Sequence, residues 1–404
     1  MKIYDIVIVG GGMVGATLTC ALKGSGLKIA LVEAAAPPEV APDDDIDLRV
    51  SAITRGSEQI FTALKVWPGM TARRVSPFRE MQVWDAGGSG VIHFSAAELG
   101  EDCLGHIVEN QVIQRSLWDS LQSIGDLELL CPAAVAGLRR EGPLHELRLS
   151  DGRRLRTRLL IGADGAQSQV RRFAHIRTRG WSYEQQAVVA TVATELDHRE
   201  TAWQRFLTTG PLAFLPLRDG RCSIVWSTTA LQAQQLREAD DDGFRRQLGQ
   251  ALDHKLGRVV ASGPRAAFPL HLQHAEHYVR PGLALIGDAA HTVHPLAGQG
   301  VNLGLLDAAC LAQVLREALA SDKDLAAEAV LRRYERWRKG HNLLMMGAMD
   351  GFKRLFGSGL EPLRWARNAG LSVTDRLLPL KILIMRHAMG RVGDLPALAR
   401  GVRA

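Results

Sequence analysis

The first 33 residues carry the pattern that most restricts the fold of this chain. A short apolar run at residues 3–9 is typical of a buried parallel strand, and three glycines spaced G-x-G-x-x-G follow it at residues 10–15. We predict a helix next, then a strand at 28–32 that ends in Glu33. In this context the glycines provide a tight turn, room for a pyrophosphate and close helix packing. The segment predicts dinucleotide binding, with Glu33 placed for ribose hydroxyls.

A second glycine-rich bend follows much later in the chain. The strand-like residues 283–286 lead to Gly287 and Asp288, and a helical apolar pattern follows the bend at 298–302. An acidic residue at a strand end can accept hydrogen bonds from ribose or ribityl hydroxyls. The start of the helix offers free N–H groups and a positive dipole end, which suit an anion. Plain packing and helix capping are the alternative interpretation.

A third turn, Gly162-Ala163-Asp164-Gly165, follows the apolar residues 159–161. Its position after a buried strand in a dinucleotide-binding chain favours a role in ligand binding. The alternative is a generic Asp-Gly turn.

Composition excludes several classes of function. The five cysteines are scattered and never form a C-x-x-C pair, so we expect no disulfide framework, zinc site or dithiol centre, and no metal. The net charge of +6 is spread rather than gathered in one basic block, so we expect no nucleic-acid partner. No apolar run reaches the ~18 residues that span a bilayer, and no secretion signal opens the chain. We therefore expect a soluble, cytoplasmic protein.

The order of strand and helix patterns predicts an α/β fold, with a Rossmann-like unit, an inserted and mostly antiparallel sheet, and a helical C-terminus. Within it, residues 107–124 are predicted as helix. The predicted units are a discontinuous nucleotide-binding domain at 1–72, 99–176 and 276–320, a sheet domain at 73–98 and 177–275, and a helical segment at 321–404.

The sheet domain is rich in aromatic residues for a chain that averages 5%. One face of its sheet is a candidate lining for an apolar substrate pocket, and an ordinary sheet core is the alternative. The candidate substrate residues are Tyr183, Trp203, Phe214, Pro216 and Trp226.

The C-terminal segment combines basic residues at 332–339 with an apolar stretch at 377–385 that has cationic flanks. Packing against the nucleotide-binding domain is one interpretation. Docking to a partner protein or to a membrane surface, with a peripheral location at its inner face, is the other.

Together, the three motifs resemble the FAD-dependent aromatic hydroxylases built like para-hydroxybenzoate hydroxylase. Within that group, residues 291–304, 108–114 and 214–217 are similar to the ubiquinone-biosynthesis hydroxylases. The amino-acid sequences of residues 10–15 and 214–219 resemble those of the branch of the family that hydroxylates the demethoxy intermediate late in that pathway.

The resemblance implies roles for particular residues. It assigns FAD contacts to Gly10, Gly12, Met13, Val14, Gly15, Glu33, Arg49, Gln111, Asp164, Gly165, Asp288, Gly300, Val301 and Asn302. It places beside the reactive ring Pro295, Gly298, Gln299 and Gly300, with His291 as a candidate catalytic residue. For His291 and His294, hydrogen bonding within the turn is the alternative. Gln114 stands where the family often has a basic residue.

The resemblance also implies the reaction. NAD(P)H would reduce the flavin, and O2 would then form a peroxide at flavin C4a whose distal oxygen is transferred to an aromatic ring. The implied substrate is a polyprenylated phenol or quinol of ubiquinone synthesis. A quinol is already electron rich, so an unassisted ring is plausible and no nucleophile triad is expected. The alternatives are a hydroxylase of small phenols and a non-catalytic lipid-escort protein on the same fold.

Overall fold

A computed structural model describes residues 2–41, 44–293, 299–357 and 360–402 of the chain. The helices are α1 Met13–Ala21, α2 Arg55–Ala63, α3 Trp67–Arg73, α4 Asn110–Leu121, α5 Gln169–Phe173, α6 Ala230–Glu238, α7 Asp241–Ala251, α8 Gln299–Ala320, α9 Glu328–Gly357, α10 Glu361–Arg376 and α11 Leu378–Ala388. The first eleven strands are β1 Ile3–Val9, β2 Ile29–Val32, β3 Val50–Thr54, β4 Ser76–Phe78, β5 Glu80–Asp85, β6 Val91–Ser95, β7 Gly105–Glu109, β8 Leu127–Leu130, β9 Val135–Glu141, β10 Leu144–Leu149 and β11 Arg154–Gly162. The remaining strands are β12 Thr178–Thr194, β13 Thr201–Leu207, β14 Gly210–Pro216, β15 Cys222–Thr229, β16 Val259–Ala275, β17 Val279–Arg280, β18 Leu283–Leu285 and β19 His291–Thr292.

The first sheet has eight strands and a parallel centre. Its order is β17-β18-β11-β1-β2-β8, with β10 and β9 extending from β11, and the pairs from β18 to β8 are parallel. Strand β1 is buried at nearly every position, as expected for a strand covered by helices on both faces. Because β18, β11, β1 and β2 run in the same direction, the turns that follow them lie along one edge of the sheet.

The second sheet also has eight strands, in the order β19-β16-β12-β15-β14-β13-β5-β6. All its neighbours are antiparallel except β13 and β5. Helices α6 and α7 cover one face, where Ala233, Leu236, Phe244 and Leu248 complete a buried cluster. A third, smaller sheet pairs β3, β7 and β4. The α/β architecture with an inserted, mostly antiparallel sheet and a helical C-terminus is confirmed.

Two details of the structure differ from the sequence expectations. The helix predicted at 107–124 is wrong in its first part, because β7 occupies residues up to Glu109 and pairs with β3 and β4. Helix α4 therefore begins at Asn110. Strands β4 and β19 cross the predicted domain limits, since β4 pairs with β7 and β19 pairs with β16. Sheet pairing with distant strands decided both cases. The division into domains remains a prediction.

The C-terminal helices are held against the sheet domain by buried polar contacts. Arg367 donates from Nε to Asp85 at 2.8 Å, and both side chains are almost fully buried. Asn368 donates to the same carboxylate and accepts from the Gly90 N–H at 2.7 Å. A Cβ on Gly88 would lie 2.4 Å from the Asn368 amide, so the glycine-rich loop between β5 and β6 makes room for α10. No helix in the described part of the chain is long and apolar enough to cross a membrane.

Candidate active site

The turns after β1 and β11 pack directly against each other. Gly10 has a φ of +103°, and a Cβ there would lie 2.3 Å from the Ala163 carbonyl oxygen. Gly15 is equally restricted, because its Cβ would lie 1.9 Å from the Gly10 carbonyl oxygen. Only glycine satisfies both positions without moving the backbone. Two of the three sequence motifs therefore meet at one edge of the first sheet.

The turn after β18 joins the same place through Val14. A Cβ on Gly287 would approach the Val14 side chain at 3.1 Å, and one on Gly304 would approach it at 2.7 Å. Gly287 has a φ of +59° and opens the single turn Gly287–Ala289. The first helix, the turn bearing Asp288 and helix α8 are thus in mutual contact, and the three motifs meet at one place in the fold, which we call the recess.

The start of helix α1 is open to a ligand. Gly12 is the residue before the helix, and no side chain caps the N–H groups at this end. A Cβ on Gly12 would meet only the Gln114 amide, 3.9 Å away. Free N–H groups beside open space suit an anionic phosphate group. Gln114 therefore lies beside this turn, and the cofactor contact of Gln111 stays a prediction.

Glu33 is fixed by backbone donors. Its Oε2 accepts from the Gly11 N–H at 2.5 Å and its Oε1 accepts from the Ala35 N–H at 3.1 Å. Trp118 supports the same turn by donating from Nε1 to the Gly11 carbonyl at 2.8 Å. Sequence reasoning missed Trp118. The only signal it offered was a tryptophan on the apolar face of a predicted helix, more than 100 residues from the motif.

Asp164 has a structural task that the sequence left as an alternative. Its Oδ2 accepts from the N–H groups of Gln169 and Val170, and its Oδ1 accepts from the Ser168 hydroxyl at 2.5 Å. These bonds cap the short helix α5. Gly165 has a φ of +78°, as an Asp-Gly turn requires. The carboxylate is thus committed to the turn, and a role in ligand binding stays a prediction.

Asp288 presents the least committed carboxylate of the recess. Part of the residue is exposed to solvent, and within the described residues no hydrogen-bond partner of its carboxylate is found. Burial raises its pKa, with Asp307 adding to the rise, while the positive charges of His291 and Arg49 oppose it. Arg49 also lies over the Phe268 ring of β16, with 5.5 Å between its Cζ and the ring centroid. Arg49 therefore lies against the second sheet and near Asp288.

The second sheet reaches the recess through β19. His291 and Thr292 follow the Asp288 turn and pair with His274 and Gln273 of β16. His291 itself is 2% exposed, and its Nε2 lies 2.5 Å from Asp307 Oδ2. The ring is thus hydrogen-bonded in the interior to helix α8, rather than within its own turn as the alternative had it, and a catalytic role for His291 stays a prediction. His294, Pro295, Gly298 and the side chain of Gln299 lie outside the described residues.

The first turn of α8 connects the recess to the third sheet. The Asn302 amide accepts from the Thr54 N–H at 3.0 Å and donates to the Ala52 carbonyl at 2.8 Å. Its side chain thus holds β3 beside the helix. A Cβ on Gly300 would lie 3.6 Å from Val293, and Val301 packs against the core of the first sheet. The helix start expected near residue 299 is present.

Four of the five candidate substrate residues lie on the face of the second sheet that helices α6 and α7 cover. Trp226 and Phe214 are 3% and 0% exposed and pack under helices α6 and α7. Trp203 pairs with Phe214 on the neighbouring strand and packs against the same cluster. Pro216 pairs with Cys222, which also belongs to that cluster. Residues directly opposite on paired strands share a face. The expectation of a substrate role for these four is not supported, since they form sheet core.

Tyr183 lies on the opposite face of the second sheet, on the side of helix α8. It belongs to a buried cluster on that side, formed with Ala187, Leu270, Leu272, Val293, Leu303 and Met346. Val293 precedes residues 294–298 in the chain, and Leu303 follows them on α8. Burial, with a hydrogen bond to Asp350, raises the pKa of Tyr183 well above its ordinary value, so the ring stays a neutral phenol. Lys353 Nζ lies 3.8 Å from its ring centroid.

Cysteines and possible metal-ligating side chains are dispersed among the described residues. Within the ranges that the structure covers, no group of three or more His, Cys, Asp or Glu side chains has metal-binding geometry. All five cysteines are free thiols. Burial raises the pKa of Cys103 and of Cys131, which opposes thiolate formation at either position.

Comparisons with known proteins give the same picture. A family model described as "FAD binding domain" matches residues 3–346. The chain is 40% identical over 388 residues to the 3-demethoxyubiquinol 3-hydroxylase of Escherichia coli, covering 96% of this chain and 98% of the relative. It is 38% identical over 404 residues to the ubiquinone hydroxylase UbiL of Rhodospirillum rubrum, covering 99% and 94% of the two chains.

Solved structures show the same fold. The p-nitrophenol 4-monooxygenase PnpA of Pseudomonas putida superposes with a TM-score of 0.78 at 17% identity, covering 96% of this chain and 99% of that one. Its likeness supports the architecture alone. The family assignment rests on the near-complete matches at 38% to 40% identity. The chain belongs to the ubiquinone-biosynthesis family of FAD-dependent aromatic-ring hydroxylases.

Proposed function

We propose that this monooxygenase hydroxylates the ring of a polyprenylated quinol, at the step catalysed by its 3-demethoxyubiquinol 3-hydroxylase relative. One observation carries the proposal: the three motif turns meet at one place in the fold, and the apolar cluster around Tyr183 extends toward it through Val293 and Leu303. The sequence of residues 10–15 and 214–219 favours the late hydroxylation of the demethoxy intermediate. Hydroxylation at another ring position, or of a small phenol, is the alternative.

The residues of the recess fit FAD. The uncapped start of α1 at Gly12 offers N–H donors to the pyrophosphate, and Glu33 is held for the adenosine ribose. Asp288 offers an acceptor to ribityl hydroxyls, and Arg49 covers the recess from the side of the second sheet. When bound and reduced by NAD(P)H, the flavin supplies the activation of O2. The protein supplies binding, orientation and the exclusion of water.

On the substrate side, Tyr183 and its neighbours provide an apolar wall. Val293, after the Asp288 turn, and Leu303, on α8, also belong to this wall. An apolar wall excludes water from the reacting ring and suits a quinol with a hydrocarbon tail. Since a quinol ring is already electron rich, the proposal assigns no general base. The buried position of His291 agrees with this assignment.

The proposal is tested by identifying the quinone that accumulates when the gene is deleted. Mass spectrometry of lipid extracts should show the demethoxy quinone, and expression of the intact gene should remove it. Accumulation of an earlier precursor would assign another ring position. Unchanged quinones, together with turnover of a small phenol by the purified protein, would favour the small-phenol alternative. A purified protein that is yellow and bleached by NADPH would exclude the lipid-escort alternative.

We also propose that the C-terminal helices dock on an anionic membrane surface, where a polyprenylated substrate resides. In the described part of the chain, 12 of the 22 exposed large apolar side chains lie between Leu343 and Ile384. Monomeric proteins rarely expose such a concentration without a binding role. Trp365 is 76% exposed, and tryptophan is enriched where protein meets the lipid headgroups.

Charge favours a membrane over an apolar protein partner. Residues 332–391 contain 13 Lys and Arg against 4 Asp and Glu, a net charge of +9, whereas the rest of the chain has a net charge of −3. Basic residues beside apolar ones are typical of helices that lie on anionic bilayers. The buried pair of Arg367 and Asp85 fixes α10, so its apolar face is presented as a rigid surface.

Vesicle sedimentation tests this docking. Wild-type protein should bind vesicles that contain phosphatidylglycerol, and binding should weaken with salt and with neutral lipid. The triple substitution Trp365→Ser, Leu383→Ser and Ile384→Ser should reduce binding at least ~10-fold, because three exposed apolar anchors are lost. Leu231→Ser on α6, where the leucine is 68% exposed, is the matched control. Equal loss in the control, or retention in the triple variant, would contradict the docking. Self-association that the triple variant abolishes would assign this face to a second copy instead.

A further inference from the structure

The buried carboxylate of Asp307 joins three parts of the molecule that the motifs alone do not connect. Its Oδ2 accepts from the Gly287 N–H at 3.2 Å and from His291 Nε2 at 2.5 Å. Its Oδ1 accepts from Arg338 Nε at 2.8 Å and from Asn342 Nδ2 at 3.1 Å. Asp307 is 0% exposed, and it lies on α8, while Arg338 and Asn342 lie on α9. One side chain therefore ties the Asp288 turn to two helices.

The charges around Asp307 are balanced in its ionised state. Burial by itself would raise the pKa of the carboxyl group, but His291 and Arg338 outweigh that effect and hold the pKa at about 2. Arg338 also donates to the Asn342 side-chain oxygen at 2.9 Å, so the arginine is fixed as well. Well-packed apolar groups often stabilise a fold as much as a buried ion pair does. Conformational specificity is therefore the better explanation for this arrangement.

The segment that Asp307 holds is the one that presents Asp288. Gly287 and His291 stand on either side of Asp288, and both bond to the same carboxylate oxygen. His291 donates from Nε2, which leaves Nδ1 buried and without a partner among the described residues. On its backbone side, His291 pairs with His274 of the second sheet. The turn is thus held from inside by Asp307 and from outside by β16.

We propose that Asp307 is a positioning residue for the flavin: it fixes the turn that carries Asp288, and so sets how the recess holds the FAD ribityl and pyrophosphate region. Asp307 does not touch the flavin, since it is fully buried behind the turn. The inference goes beyond the proposed function and rests only on FAD occupying the recess. The inference does not depend on which phenol or quinol the enzyme hydroxylates.

The substitution Asp307→Asn tests the role with little change of shape. An asparagine replaces one acceptor oxygen by a donor amide, so it cannot accept from all four present donors. We expect the FAD dissociation constant to rise ~10- to 100-fold, as happens when hydrogen-bonded supports of metal ligands are removed. Titration of FAD into apoprotein, followed by flavin fluorescence, measures this constant. The absorbance spectrum of bound flavin should shift as well.

Arg338→Lys is the matched control. It disturbs the same buried cluster on the side away from the turn and leaves the bonds to Gly287 and His291 in place. Both variants should lower the melting temperature of the apoprotein, whereas only Asp307→Asn should weaken FAD binding more than ~3-fold. Equal FAD affinity in both variants and the wild type would overturn the inference and leave Asp307 a structural residue. Equal weakening in both would overturn it too, because the effect would follow general destabilisation.

A second substitution covers the case in which Asp307→Asn does not fold. His291→Gln retains a donor near the Nε2 position and removes the ring, so it loosens the same turn with a smaller loss of buried charge. It should weaken FAD binding in the same direction and by less. Unchanged FAD affinity in His291→Gln would overturn the inference. A wild-type protein that binds no FAD would instead refute the proposed function, so the two failures are distinct.

Discussion

The two eight-stranded sheets contribute to the site in opposite ways. In the first sheet, the residues proposed to bind FAD lie at the ends of strands, where tight turns at Gly10, Ala163 and Gly287 pack within contact distance of one another or of Val14. In the second sheet, the proposed role of a residue depends on which face of the sheet its side chain occupies. Tyr183 lies on the face toward the recess, whereas Phe214 lies on the face under α6 and α7. The conformation of a turn depends on residues close together in the sequence, whereas the packing of a sheet face depends on residues far apart in the chain.

This difference between the sheets predicts which substitutions should affect stability, FAD binding or substrate binding. A change in a turn of the first sheet should affect folding and FAD binding together, because the same backbone does both. In the second sheet, a change on the helix-covered face should affect stability alone. A change on the recess face should affect substrate binding more than stability.

The largest effect is expected for Gly10→Ala. The new Cβ would overlap the Ala163 carbonyl at 2.3 Å and would occupy a left-handed conformation with φ +103°. We expect a loss of ~4 kcal/mol or more in the free energy of unfolding, and loss of bound FAD. Gly24→Ala is the control, since Gly24 has a φ of +76° with nothing within 4 Å of its Cβ, and should cost only ~1 kcal/mol. Urea unfolding measures both, and similar losses would contradict the crowding argument.

Phe214→Ala should have the next largest effect. Phe214 is fully buried in the cluster under α6 and α7, so its removal leaves a cavity. We expect ~3–4 kcal/mol of lost stability. Turnover per bound flavin should stay within ~2-fold of the wild type at a temperature where the variant is folded. A specific rise in KM for the quinol would return Phe214 to the substrate pocket and reverse the assignment of faces.

A pH effect should come from the small third sheet, which lies beside the recess. Burial, with the nearby charge of Arg55, lowers the pKa of His106 to about 4, whereas an unfolded chain protonates this ring near 6.5. The unfolded state therefore binds the proton first as pH falls. Stability should be full above pH 6.5 and decline by ~2–3 kcal/mol between pH 6.5 and 4.

The variant His106→Gln isolates this contribution. Glu58, which lies 3.4 Å from His106, has a pKa raised chiefly by burial and acts in the opposite direction. The difference between wild type and variant removes the Glu58 contribution to a first approximation. Unfolding curves measured at several pH values should show a shallower acid decline in His106→Gln. An unchanged slope would show that His106 does not titrate in this range.

The smallest effect on stability is expected for Tyr183→Leu. Leucine keeps an apolar side chain against Leu272 and Met346, so the loss of stability should be ~1 kcal/mol. If the ring faces the quinol as proposed, KM should rise ~10-fold, equivalent to ~1.4 kcal/mol. Steady-state kinetics with a short-chain quinol would measure it. An unchanged KM would remove Tyr183 from the substrate wall.

The sequence determined the parts of this protein that depend on short-range geometry. The G-x-G-x-x-G turn and the Asp-Gly turn need backbone conformations that few residues adopt, so their spacing was enough to predict dinucleotide binding. The flavin followed from the family that the three motifs together resemble. Only the tertiary structure placed Trp118 on Gly11 and Gln114 over Gly12, and only it turned Trp226 away from the recess. It also joined Asp307 to Arg338. A strand pattern states that one face is buried, but which helices cover that face depends on contacts between residues far apart in the chain.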